Sequence, residues 1–177
     1  MRKILYFLAE ITDQDLDWIS GAGTREVLSE GQILVEQGNS IDNLSIVLRG
    51  RFSVAVNGKL IADVNSGEVV GELSFLDSRP PSATVKAVET SVVWQIPVGR
   101  IKKKLQSDLG FASRFYRFLG VLLAHRMRQN TVKLAFGESD EKSFDDEDPM
   151  EVDPEYLDRL TLAGLRFDRL QSELLSR

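Results

Sequence analysis

From Thr24 onward the chain breaks into short apolar runs, Arg25–Leu28, Gln32–Val35 and Leu44–Leu48, cut apart by Gly31, Gly38-Asn39 and Gly50. Runs of this length between glycines read as strands joined by tight turns. Phe52–Val56 then alternates into Asn57-Gly58, and Leu60–Val64 resumes the apolar pattern. Asn-Gly tolerates the positive φ that a primed turn needs, so this spacing predicts a hairpin. Ala83–Ala87 and Ser91–Ile96 add two further strands, and Pro97 marks a break before a helical region. Successive half-buried strands close over one apolar core and leave fewer exposed edges, which predicts a small β barrel or roll as the body.

On either side of that body the period changes. Ile4, Leu5, Phe7 and Leu8 make a short packing segment, and Thr12 with Asp15 predicts a helix cap before Leu16, Trp18 and Ile19. Beyond Val98, the residues Ile101, Leu105, Leu109 and Phe111 predict a short helix. Phe115, Phe118, Leu119, Leu122 and Leu123 then recur at helical spacing along a longer one, among Arg114, Arg117, Arg126 and Arg128. Tyr116 and Val121 widen its apolar surface. Intrachain packing is the simpler use of such a stripe, and a homodimer is the other. Pro154 opens a last helical pattern through Leu157, Leu160, Leu162, Leu165, Phe167, Leu170 and Leu174. It has enough apolar groups to pack back onto the domain, to meet a second subunit or to bind a protein partner.

A chain of 177 residues, 42% hydrophobic, buries one sizeable core. The expected organisation is a domain over residues 1–136, an acidic linker over 137–153 and a helical segment over 154–177. The net charge of -5 hides a segregation. Arg100 to Lys133 holds nine Lys or Arg against one acid, and Glu138 to Asp158 holds eleven acids against one Lys. The plain reading is a solvated basic helix followed by a loose acidic tether; docking of one on the other, or partner capture, would weaken with salt. Duplex DNA would meet an unfavourable charge across the acidic stretch, so DNA binding is not expected. Without cysteine there are no disulfides, thiolate metal sites or cysteine nucleophiles, and the single His125 makes neither a zinc cluster nor a Ser-His-acid arrangement. Neither a metal nor catalysis is expected. No apolar run approaches a membrane span, and Met1–Tyr6 is too short for a secretory lead, so the expectation is no membrane insertion and a cytoplasmic location.

The densest motif lies between the hairpin and the last strands. Gly71-Glu72-Leu73 is followed by Arg79 and then by Ser82-Ala83-Thr84, and Gly31, Gly38, Gly50 and Gly67 fall at turn positions around it. In these residues the chain resembles the cyclic nucleotide-binding domain family, the sensory module of bacterial transcription regulators, cyclic nucleotide-dependent kinases and gated channels. The resemblance covers roughly Ile19 to Lys133. It implies a mainly β fold with flanking helices, a jelly-roll-like barrel, acting as a non-catalytic sensor of cyclic AMP or cyclic GMP. It also implies transmission of occupancy through the C-terminal helices. The family's regulators attach a helix-turn-helix module after the long helix, where this chain has the acidic stretch and one helical segment.

The resemblance places Gly71, Glu72, Leu73, Ser74, Arg79, Ser82, Ala83 and Thr84 in the ligand site. Gly71 allows close backbone approach, Glu72 can accept hydrogen bonds from ribose hydroxyls, and the amides of a short helix over Leu73–Leu76 can face an anion. Ser82 offers a hydroxyl and an amide, while Thr84 has a second use in filling the strand. The plainer alternative makes Leu73, Phe75 and Val85 core residues and Glu72 a turn cap. The departure is Pro81, which stands where the family pattern supplies an arginine to the cyclic phosphate. Proline has neither charge nor amide donor, so a charge-assisted contact is lost unless Arg79, or Arg126 and Arg128 of the long helix, replaces it. The default role of those helix arginines is solubility. The competing class is a ligand-independent scaffold in which Pro81 records loss of phosphate binding.

Overall fold

The computed structural model of the chain describes residues 4–136 and 154–176. Two helices lead in, α1 (Ile4–Glu10) and α2 (Asp13–Ala22). The strands follow as β1 (Thr24–Leu28), β2 (Ile33–Val35), β3 (Asn43–Arg49), β4 (Arg51–Val56), β5 (Lys59–Asn65), β6 (Val69–Val70), β7 (Thr84–Ala87) and β8 (Ser91–Pro97). A short helix, α3 (Glu72–Asp77), interrupts them between β6 and β7, and α4 (Val98–Ser107), α5 (Leu109–Phe136) and α6 (Pro154–Leu175) come after. The acidic stretch expected over 137–153 lies outside the described residues.

The strands form two antiparallel sheets, ordered β1-β8-β3-β6 and β2-β7-β4-β5. The alternation of side chains across a strand divides the core in two. Leu44, Ile46 and Leu48 of β3, with Val92, Trp94 and Ile96 of β8, turn outward to the helices. Val47 and Val93 from the same strands turn into the roll, where they meet Phe52, Val64 and Val85. The expected hairpin is β4–β5, with Phe52 opposite Val64 and both turn residues at positive φ, Asn57 at 49° and Gly58 at 81°. Strand β6 was not anticipated; its two valines are too few to show an alternation.

The entry to α2 is capped as expected. Thr12 Oγ1 accepts from the Asp15 amide at 3.2 Å, and Asp15 Oδ2 accepts from the Thr12 amide at 2.8 Å. At the other end of α2, Arg100 Nη1 donates to the Ala22 carbonyl at 2.9 Å. A cation there satisfies a carbonyl that the helix leaves open. Trp94 Nε1 donates to the Ile19 carbonyl at 3.0 Å and ties the helix to the sheet.

Helix α6 packs back onto the domain. Ala163, Phe167, Leu170 and Leu174 are at most 1% exposed and share one apolar cluster with α1, α2 and α5. Arg166 Nη1 donates to the Leu8 and Ile11 carbonyls, each at 2.8 Å, while Nη2 reaches Asp13 Oδ1 at 2.9 Å. One guanidinium thus closes the open end of α1 and joins it to the start of α2. Further along, the register of β3 on β8 shifts between Val47 and Arg49. The Leu48 carbonyl at this irregularity accepts from Ser66 Oγ at 2.8 Å and from Gln171 Nε2 of α6. Among the described residues no helix is long and apolar enough to cross a membrane.

Candidate functional site

The chain leaves β6, turns at Gly71 and enters α3. Gly71 has φ of 98°, and a Cβ there would lie 2.7 Å from Ile41 Cδ1 and 3.2 Å from the Asn43 carbonyl oxygen. Glycine is needed both for the backbone conformation and for the contact with the β2–β3 loop. Helix α3 ends at Ser78, whose φ of 58° is left-handed and whose amide returns to the Ser74 carbonyl at 3.0 Å.

Phe75 orients the short helix. It is buried and meets Phe115 of α5 edge-on, with ring centroids 5.5 Å apart. Glu72 lies three positions earlier on the same side of α3, so burying Phe75 also turns Glu72 toward α5. Glu72 is 3% exposed. A carboxylate so far from water requires a partner, and it finds Arg126, whose Nη1 donates to Glu72 Oε1. Nη2 of the same guanidinium donates to the Val69 carbonyl at 2.9 Å. Arg126 sits about three turns beyond Phe115, on the same face of α5. That is the signal the sequence carried: it prolongs the buried stripe of Phe115, Leu119 and Leu122, where an uncharged side chain is expected.

The other predicted residues are distributed around α3. Leu73 is half exposed and Ser74 partly buried. Arg79 is on the outer turn, its side chain 83% exposed and 3.9 Å from Asp77. Pro81 presents its carbonyl to the Gly38 amide at 2.9 Å, and Thr84 Oγ1 accepts from the Gln37 amide at 3.1 Å. Gln37 also exchanges hydrogen bonds with Asn57, at 2.9 and 3.0 Å, so the β2–β3 loop is stitched to both the segment and the hairpin turn. Ser82 is exposed and Ala83 half-buried between these ties. The structure therefore joins Glu72 to α5, binds Pro81 and Thr84 to a loop, and leaves Arg79 and Ser82 facing outward; Arg128 is exposed on α5.

A cleft of about 380 Å³ opens beside this segment, between β2, the β2–β3 loop and the inner faces of β3 and β8, with Asn43, Ser45 and Gln95 on its polar wall. None of the predicted site residues lines it. Among the described residues no group of three or more His, Cys, Asp or Glu is placed to hold a metal. What the segment offers is hydrogen bonding around a carboxylate paired with an arginine.

A two-sheet roll with a short helix between β6 and β7, and longer helices stacked on one sheet, defines the architecture of this chain. Residues 25–108 match the family model described as cyclic nucleotide-binding domain. A cyclic nucleotide-binding domain from Methylobacillus flagellatus shares the fold with a TM-score of 0.68 at 19% identity, over 75% of this chain and 81% of that one. An NTE family protein of Mycobacterium tuberculosis is 28% identical over 127 residues, 71% of this chain and 22% of that protein. A cGMP-dependent protein kinase of Toxoplasma gondii is 31% identical over 94 residues, 53% of this chain and 9% of that protein. The chain thus aligns with about a fifth of the first protein and under a tenth of the second.

Proposed function

We propose that this chain is a non-catalytic regulatory module that binds a cyclic nucleotide at Gly71–Thr84 and passes occupancy to its C-terminal helices. The observation that carries this reading is the position of Glu72. A carboxylate at the entry of α3, suited to accept from a ribose hydroxyl, is in direct contact with α5 through Arg126. A ligand that engages Glu72 alters the environment of that helix, and the differential contact is what a shift between two states requires. Cyclic AMP and cyclic GMP are the ligands to try, since relatives carry those names.

The test is calorimetric titration of both nucleotides into protein stripped of copurified nucleotide, beside Glu72→Ala checked for folding by its thermal melt. Saturable binding that is lost in E72A is the expected result; absence of binding at high ligand concentration overturns it.

A second reading is favoured by the pair itself together with Pro81. With Glu72 already held by α5 and no arginine at position 81, the domain serves as a ligand-independent scaffold or homodimer. Leu109, Tyr116, Met127 and Leu134 on α5 are all at least half exposed and supply an apolar surface for a second copy. Assembly that depends on protein concentration, with no response to nucleotide, favours this reading.

A further inference from the structure

We propose that Arg126 is the residue that confers anion acceptance on this site, supplying from α5 the positive charge that the Gly71–Thr84 segment lacks. The inference rests on the cyclic nucleotide reading and assigns the charge partner within it. Three observations bear on it.

The first is the charge inventory. Between Gly71 and Thr84 the ionisable residues are Glu72, Asp77 and Arg79. Arg79 points outward and lies near Asp77, so those two largely cancel at the exposed turn. What remains facing inward is the buried carboxylate of Glu72. An anionic phosphate entering beside an unneutralised, desolvated carboxylate would be repelled strongly.

The second is the contact. Arg126 comes from outside the segment and already neutralises Glu72, while its fork also grips the Val69 carbonyl just before the turn at Gly71. A guanidinium is a planar fork that keeps further N–H donors after two are used. It can hold the carboxylate and still direct donors toward a phosphate oxygen, a geometry that lysine cannot reproduce with a single ammonium.

The third is location. The Arg126 side chain is 25% exposed, so the cation is neither sealed in the core nor dispersed in solvent. It sits on the helix that the fold packs directly on α3 through Phe75 and Phe115. An anion held by Arg126 therefore acts on α5 directly, in addition to the packing of Phe75 on Phe115.

The experiment measures cyclic AMP and cyclic GMP affinity by calorimetry for wild type, Arg126→Gln, Arg126→Lys, Pro81→Arg and the double variant P81R/R126Q. Each protein is checked by its thermal melt. R126Q is expected to weaken binding roughly 10- to 100-fold, the loss of one charge-assisted contact. R126K is expected to fall between it and wild type. P81R/R126Q is expected to recover affinity, because the charge is restored from inside the segment; a merely structural role for Arg126 would not be repaired from position 81. The further signature is coupling: in wild type, saturating nucleotide changes amide exchange along α5, and in P81R/R126Q binding persists with that change reduced. Tighter binding in R126Q would overturn the proposal by making Arg126 a plug. Binding that appears only when P81R is present would overturn it by showing that Arg126 does not supply the charge. Absence of binding in every variant, P81R included, would instead overturn the cyclic nucleotide reading underneath.

Discussion

Asp15 and Glu72 are two carboxylates with nearly the same burial, 2% and 3% exposed, and each is met by an arginine of α5. Their surroundings differ. Asp15 accepts from the Thr12 amide at 2.8 Å and from both Nε and Nη2 of Arg114, at 2.8 and 3.1 Å. Both of its oxygens are taken by elements that stay packed together, so the pair is a tie between α2 and α5. Glu72 belongs to a six-residue helix followed by an exposed turn, and its arginine divides its fork between the carboxylate and the Val69 carbonyl. Burial and charge pairing alone do not distinguish an anchor from a site. The two pairs differ in how the arginine is used: Arg114 turns Nε and Nη2 on one carboxylate, while Arg126 divides its donors between Glu72 and the Val69 carbonyl.

The hardest blow to this contrast comes from Arg114→Ala. It strands the Asp15 charge in the core and is expected to cost about 3–5 kcal/mol in urea unfolding, with no dependence on nucleotide. A loss under about 1 kcal/mol would mean that Asp15 is no more an anchor than a surface acid. Thr12→Ala sharpens the same side by removing only the cap hydroxyl. About 1 kcal/mol of destabilisation is expected from thermal melts, with the Arg114 tie intact.

The smallest effect belongs to Asp108. Its carboxylate bonds the Lys104 ammonium at 2.9 Å and caps α5 through the Phe111 amide at 2.9 Å. The Lys104 hydrogen bond first, then that amide, hold its pKa below the ordinary aspartate value. A depressed carboxylate stabilises the fold only while ionised. Its contribution is therefore present above the unfolded pKa, from about pH 5 upward, and disappears as acid passes through the lowered value. Asp108→Asn is expected to lower the melting temperature slightly at pH 7 and to converge with wild type as acid protonates the aspartate; a gap that widens in acid would refute this.

The hairpin was legible because Asn57-Gly58 dictates its turn locally, and the Thr12–Asp15 cap because its geometry spans only three residues. The roll followed from glycine spacing, and α3 from the Gly71-Glu72-Leu73 motif. What escaped the sequence depends on distant partners. The apolar stripe of α6 defines a face but not its target, and only the fold shows Phe167 and Leu170 entering the cluster of α1 and α2. Arg126 stands among several basic residues on α5, so its role depends on a carboxylate 54 positions earlier. Pro81 showed where charge was missing and the sequence offered Arg79, Arg126 and Arg128 to replace it, but only the fold separates them, joining Arg126 to Glu72 and leaving Arg79 and Arg128 exposed.

The contact of α6 with the first two helices also bears on time. Arg166 and Asp13 are 153 positions apart, so closing that contact restricts nearly the whole described chain at once. The hairpin can form from its own neighbourhood, but the helical half of the core waits for its two ends to meet. Chains with many such distant contacts fold slowly. During that wait the surfaces of α1 and α2 that later cover Phe167 and Leu174 stand open, which makes the interval before α6 docks the moment of greatest exposure to aggregation.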